Sequence, residues 1–186
     1  MNNRIIPDAT FFSFFLHNTC EPNALKTISE KFYMEVTPKV HNEIKKCKSY
    51  CHLNNFVENL HIFDERMVGF SEILKPLFSE MQKDKGEHDL VVVGICYHQM
   101  KLDFLMIIDD SGARKFTKEN FPFLEEHLEW TANFIRDCGV KYKVFNKVEV
   151  IDLLNKMKQS SKTKEGFRIR EDIIEKLIME VENGGY

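Results

Sequence analysis

The sequence predicts an α/β fold, a three-layer α/β/α sandwich with a mostly parallel central sheet. Short apolar runs around Ile5–Ile6, Met34–Thr37 and Phe104–Ile108 are separated by stretches with apolar residues at helical spacing, the alternation that produces a parallel sheet covered by helices. Two of these runs finish in carboxylates, Asp8 and the pair Asp109 and Asp110, and strands of such sheets present functional groups at their C-terminal ends. Sixteen Phe in 186 residues supply large core side chains for one domain.

Taken in order, Arg4 to Thr10 reads as a first strand that ends near Asp8, because Pro7 has no ladder donor. A helix follows from Phe11 to about Leu16. Asn23 caps a helix carrying Leu25, Ile28 and Phe32. Met34 to Thr37 is a second strand. Pro38 opens a helix to about Lys46, with Val40 and Ile44 inward and Glu43 beside them. Cys47 to Asp64 is polar, with an extra strand at Leu60 to Phe63. Apolar residues at 67, 70, 74, 77, 78 and 81 give a helical pattern up to Lys83, interrupted at Pro76.

Leu90 to Val93 favours a strand by propensity alone. A helix is assigned instead: Gly86 closes the preceding element, and Glu87 and Asp89 fall in a first turn that favours acidic groups. Gln99 to Asp103 then turns the chain into the Phe104 strand. Ala113 to Asn120 is a short helix. Pro122 starts a longer one, with Leu124, Leu128, Thr131, Ile135 and Cys138 on one face and Gly139 as terminator. Val140 to Phe145 reads as the last strand and Val148 to Met157 as a helix. A polar linker at 159–166 leads to an amphipathic helix with Ile169, Ile173, Leu177, Ile178 and Val181 apolar. The expected division is a domain over 1–158, with an irregular insertion at 47–65, and a linker and C-terminal helix over 159–186 packed on it.

No apolar run approaches the roughly 18 residues needed to span a bilayer. The N-terminal apolar patch lacks a small-residue cleavage site, so a cytoplasmic protein without membrane contact is expected. Five scattered cysteines suit reduced thiols. Cys47, Cys51 and His52 lack the second ligand pair of a zinc finger. Residues 141–170 carry nine Lys or Arg against three Asp or Glu, within a net charge of -3. That basic segment could meet a polyanion, or simply form a solvated helix face.

The acids matter most. In a parallel sheet, Asp8, Glu43, Asp89 and Asp110, with Asp109, can converge on the edge formed by strand C-termini and helix starts. Clustered carboxylates need raised pKa values or a cation. Hard oxygen ligands suit Mg²⁺ or Mn²⁺, and the chemistry that follows is metal-assisted phosphodiester hydrolysis by water. Each acid also has a plainer reading. Asp89 fits a helix dipole, Glu43 a solvent-facing helix position, and Asp109 and Asp110 a turn before Ser111 and Gly112.

Four segments in order, IIPDAT, VTPKVHNEI, GEHDLVVVGICY and FLMIIDDSGARKF, resemble the motifs of the PIN domain family of metal-dependent ribonucleases. With a late GFRI at Gly166 to Ile169, the chain is most similar to the prokaryotic toxin-type branch, over about residues 4–182. The resemblance implies that Asp8, Asp89 and Asp110 hold Mg²⁺ or Mn²⁺, with Asp109 as a further member. It implies that Glu43 completes the pocket and orients the attacking water, and that Thr10 hydrogen-bonds the first carboxylate. An RNA substrate, an antitoxin protein partner and a homodimer are implied too. Two departures, Pro7 before Asp8 and Gly112 where many members carry another acid, point to the alternative of a catalytically inactive PIN-like module binding RNA or protein. A DNA nuclease would share the metal chemistry, since sugar discrimination rests on 2′-hydroxyl contacts.

Overall fold

The computed structural model describes residues 3–46, 54–58, 60–63, 85–161 and 170–184. The helix expected over 67–83, the Cys47, Cys51 and His52 group and the GFRI segment lie outside them. In chain order, β1 (Asn3–Pro7) leads into α1 (Ala9–Ser13), which continues as a π-helical turn (Phe14–Asn18). Then come α2 (Pro22–Lys31), β2 (Phe32–Val36), α3 (Pro38–Lys45), α4 (Asn54–Glu58) and β3 (His61–Ile62). After these follow α5 (Lys85–Gln99), β4 (Phe104–Ile107), α6 (Ser111–Asn120), a 3-10 helix (Pro122–His127) and β5 (Leu128–Glu129). The helices α7 (Thr131–Val140), α8 (Lys147–Ser160) and α9 (Glu171–Asn183) complete the described chain.

The five strands form one all-parallel sheet in the order β3-β2-β1-β4-β5. Helices cover both faces, so the α/β/α sandwich is the architecture. Alternation along the strands divides the core. Ile5, Met34 and Ile107 face a cluster built with α1, α2, α3, α7, α8 and α9. Ile6, Met106 and Ile108 face a second cluster with α5 and α6. Phe11, Phe12, Phe14 and Phe15 are essentially fully buried in the first cluster, which explains why so short a helix holds its place. The C-terminal helix α9 buries Ile174, Leu177 and Val181 in that same core.

The helix assigned across Leu90 to Val93 is present as α5, and all four of those residues are fully buried. Gly86 lies in the first turn of this helix, and the element expected before it lies outside the described residues. At Gly94 a Cβ would collide with the Met106 sulfur, so glycine lets α5 lie directly on β4.

Three assignments are corrected. The α2 helix starts at Pro22, whose missing N–H is harmless in a first turn, so Asn23 is not its cap. The span from Pro122 to Cys138 is not one helix: a 3-10 turn and the two-residue β5 precede α7, which runs through Gly139 to Val140. Lys141 to Phe145 is not a strand. Its amides fold back on the end of α7, Tyr142 N–H donating to the Asp137 carbonyl at 2.8 Å and Val144 N–H to the Cys138 carbonyl at 2.6 Å.

Candidate functional site

From β1 the chain crosses to β2 on one side, whereas from β4 it crosses to β5 on the other. Adjacent strands β1 and β4 therefore mark the point where strand order reverses. The crevice beyond the carboxyl ends of such a pair is the usual ligand site of an open parallel sheet. Pro7 and Ile107 are registered partners, so Asp8 leaves one strand beside the place where Asp109 and Asp110 leave the other.

Asp8 is buried and structurally engaged. Its backbone N–H donates to the Ile107 carbonyl at 2.9 Å, which closes the β1–β4 ladder. Its Oδ1 accepts from Phe11 N–H at 2.9 Å and caps α1. Its Oδ2 accepts from Asp109 N–H at 2.8 Å.

Asp109 is half-buried. Oδ1 accepts from Thr131 N–H at 2.9 Å and Oδ2 from the Thr131 hydroxyl at 2.5 Å. Burial pushes its carboxyl up to about 6, against the lowering effects of the Thr131 hydrogen bonds and the Arg114 charge. Arg114 in α6 donates from Nη1 to the carbonyls of Ile108 (2.8 Å) and Asp109 (2.7 Å). Its guanidinium also lies over the Trp130 ring at 5.6 Å.

Asp110 is exposed and caps α6, one oxygen accepting from Ala113 N–H at 2.7 Å. Among the described residues its other oxygen has no hydrogen-bond or ion-pair partner. Gly112 adjoins it closely, a Cβ there lying 3.0 Å from Asp110 Oδ1.

The remaining candidates come from helices. Helix α3 starts where β2 ends, capped by the Thr37 hydroxyl, and Glu43 lies in its second turn. Glu43 pairs with Lys39 of the same helix at 3.8 Å. Helix α5 ends at the short turn that enters β4, so its first turns, including half-buried Asp89, point back toward the carboxyl edge. Thr10 is exposed on α1, while the hydrogen bonds described above at Asp8 come from backbone N–H groups. Asp8 and Asp109 are thus joined and Asp110 follows them, whereas Glu43 and Asp89 belong to helices packed on opposite faces of the sheet. Among the described residues no three His, Cys, Asp or Glu side chains stand close enough to hold an ion as they are.

As they are arranged, these acids do not make up a ready cation site among the described residues, both oxygens of Asp8 and of Asp109 being engaged in hydrogen bonds. They offer only carboxylate oxygens, and Asp110 presents an open one. Thr131 and Arg114 were not singled out in sequence. Arg114 stands within the DDSGAR run, and Thr131 reads as part of an apolar helix face; a Thr at a helix start is the one signal it offers.

Elsewhere, charge is mostly spent on structure. Glu35, buried in β2, binds Arg4 (2.8 Å), His61 (3.0 Å) and the Tyr97 hydroxyl (2.7 Å). Within the basic late segment, Lys156 pairs with Glu21 and Asp152, Lys158 with Glu175 and Arg170 with Asp172. Those partners reduce the positive charge left for a polyanion. Two grooves of about 570 and 340 Å³ share Asp103, Glu126 and His127 at the opposite, amino-terminal edge of the sheet. Among the described residues no helix is long and apolar enough to cross a membrane. No family model, curated protein or solved structure matches the chain.

Proposed function

We propose that this chain is a metal-dependent endoribonuclease of PIN type, acting through the carboxylates at the β1–β4 edge. The observation that supports it best is the location of Asp8 and Asp110 at the neighbouring strand ends where the strand order reverses. A bound Mg²⁺ or Mn²⁺ would supply a Lewis acid and a water of lowered pKa. Asp8, Asp89 and Asp110 would hold it, with Asp109 behind them. Glu43 would accept a proton from the attacking water once released from Lys39. Similarity to toxin-type PIN proteins adds the proposal of an antitoxin partner that blocks this edge, and of a homodimer.

The competing reading is a PIN-like module that binds RNA or protein without cleaving it. It is favoured by the Glu43–Lys39 pair, which holds one member of the set apart. Incubating labelled RNA with the purified protein in Mg²⁺, in Mn²⁺ and in chelator separates the two. Cleavage that requires the metal supports the enzyme, and intact RNA with retained binding supports the module.

A further inference from the structure

We infer that Arg114 is the anion-binding residue of the switch-point crevice, holding a backbone phosphate of single-stranded RNA on the free edge of its guanidinium. The inference rests on the RNA reading proposed above and is independent of any metal.

Arg114 lies near the start of α6, which follows directly on the β4 exit, and is half-buried. One terminal nitrogen is fully used: Nη1 donates to the Ile108 carbonyl at 2.8 Å and to the Asp109 carbonyl at 2.7 Å. A guanidinium has five N–H donors in a fixed plane. The Nε hydrogen and both Nη2 hydrogens therefore remain, and among the described residues they have no partner. These donors form the Nε–Nη2 edge, the fork that meets two phosphate oxygens side by side. The two carbonyl bonds and the Trp130 ring, 5.6 Å from the guanidinium carbon, already fix the plane of that fork. Little side-chain freedom is left to lose when an anion binds.

Charge singles out the same residue. The lysines on helices that start at this edge are paired: Lys39 with Glu43 in α3, and Lys115 with Glu119 and Lys118 with Glu125 at α6. Among the described residues Arg114 bonds only to main-chain carbonyls. Its charge reaches Asp109 through space, where it opposes the effect of burial on that carboxyl. The strand exits otherwise carry carboxylates, so a polyanion entering this crevice needs a cation there whose charge is not already paired.

Trp130 is the chain's sole tryptophan, so its emission reports on the place where Arg114 sits. The test is a titration of the full chain with a short oligouridylate in chelator, followed by anisotropy of a labelled oligomer and by Trp130 emission. The parent is expected to bind saturably with a change in emission, and more weakly as salt rises. Arg114→Gln is expected to bind about tenfold or more weakly, with the slope of log affinity against log salt smaller by about 1. A purely structural role for Arg114 would not move that slope. Arg114→Lys guards against a Gln variant that does not fold: it keeps the charge but not the fork, and its affinity is expected between the two. Lys118→Gln removes a paired charge from the same helix and is expected to bind like the parent. The inference is overturned, with the RNA reading intact, if Arg114→Gln or Arg114→Lys binds as tightly as the parent, if Lys118→Gln loses as much, or if binding leaves Trp130 emission unchanged. Inorganic phosphate that competes as well as the oligomer overturns the polynucleotide as the source of the phosphate. A parent that binds no oligomer overturns the RNA reading and this inference with it.

Discussion

The backbone N–H of Asp109 donates to Asp8 Oδ2 at 2.8 Å, joining residues 101 positions apart in the chain. The bond follows from the Pro7–Ile107 register and draws the two strand exits into one unit. Asp8 also caps α1, so its carboxylate has structural work at both oxygens. Asp110 caps α6 with one oxygen alone.

That difference separates the two acids by stability. Asparagine has a single side-chain acceptor oxygen, so Asp8→Asn loses one of the two hydrogen bonds from Phe11 and Asp109 N–H and costs about 1–3 kcal/mol. Asp110→Asn keeps a competent cap and changes stability by roughly 0.5 kcal/mol or less. Urea unfolding without metal measures both, and equal losses would contradict the assigned hydrogen bonds.

Asp109 gives a pH dependence with a definite sign. Its folded-state value, about 6, lies above the ordinary 3.8. The carboxyl thus favours folding below about pH 4, and that contribution is lost as pH rises through about 6. Without metal, the stability of the parent relative to Asp109→Asn should fall by up to about 3 kcal/mol between pH 4 and pH 7. Added Mn²⁺ should shrink the change, since a cation favours the ionised form. A pH-independent difference between the two proteins would count against the burial of this group.

Glu35 is the strongest structural anchor away from the site. Glu35→Ala leaves Arg4 and the Tyr97 hydroxyl without their buried carboxylate and should destabilise by about 3–5 kcal/mol. Tyr97→Phe removes one donor and should cost about 1 kcal/mol. Comparable effects of the two in chemical denaturation would mean that the ion pair is not the centre of this cluster.

Tight packing of α5 on β4 makes Gly94 sensitive. Gly94→Val meets fully buried Met106 and should lower stability by about 1–3 kcal/mol through overpacking. A Met106→Ala background should relieve much of the loss, which thermal melts of the double variant would detect.

Strands β1 to β4 and most of the described helices were legible because strand runs and helical spacing alternate along the chain. Leu90 to Val93 was legible only through the acids that precede it. Buried all round, that stretch of α5 has no polar face to set a helical period. Pro122 to Cys138 misled because β5 is two residues long and earns its strand identity from pairing with Met106 and Ile107, which local sequence does not carry. Val140 to Phe145 has strand-like composition, yet its amides serve the carbonyls at the end of α7 and Lys143 takes a positive φ of 54°. At the site, Asp8 and Asp110 could be read from the strand ends. The grip of Thr131 on Asp109 could not, because it depends on where β5 delivers the start of α7.

The most direct test of the carboxylate mechanism is the rate of RNA cleavage in Mn²⁺ by the parent, Asp8→Asn and Asp110→Asn, with folding of each verified by circular dichroism. The mechanism predicts metal-dependent cleavage by the parent and a loss of about 100-fold or more in each variant, as for removal of a group that stabilises charge at the reacting centre. Variants that cleave as fast as the parent would contradict it.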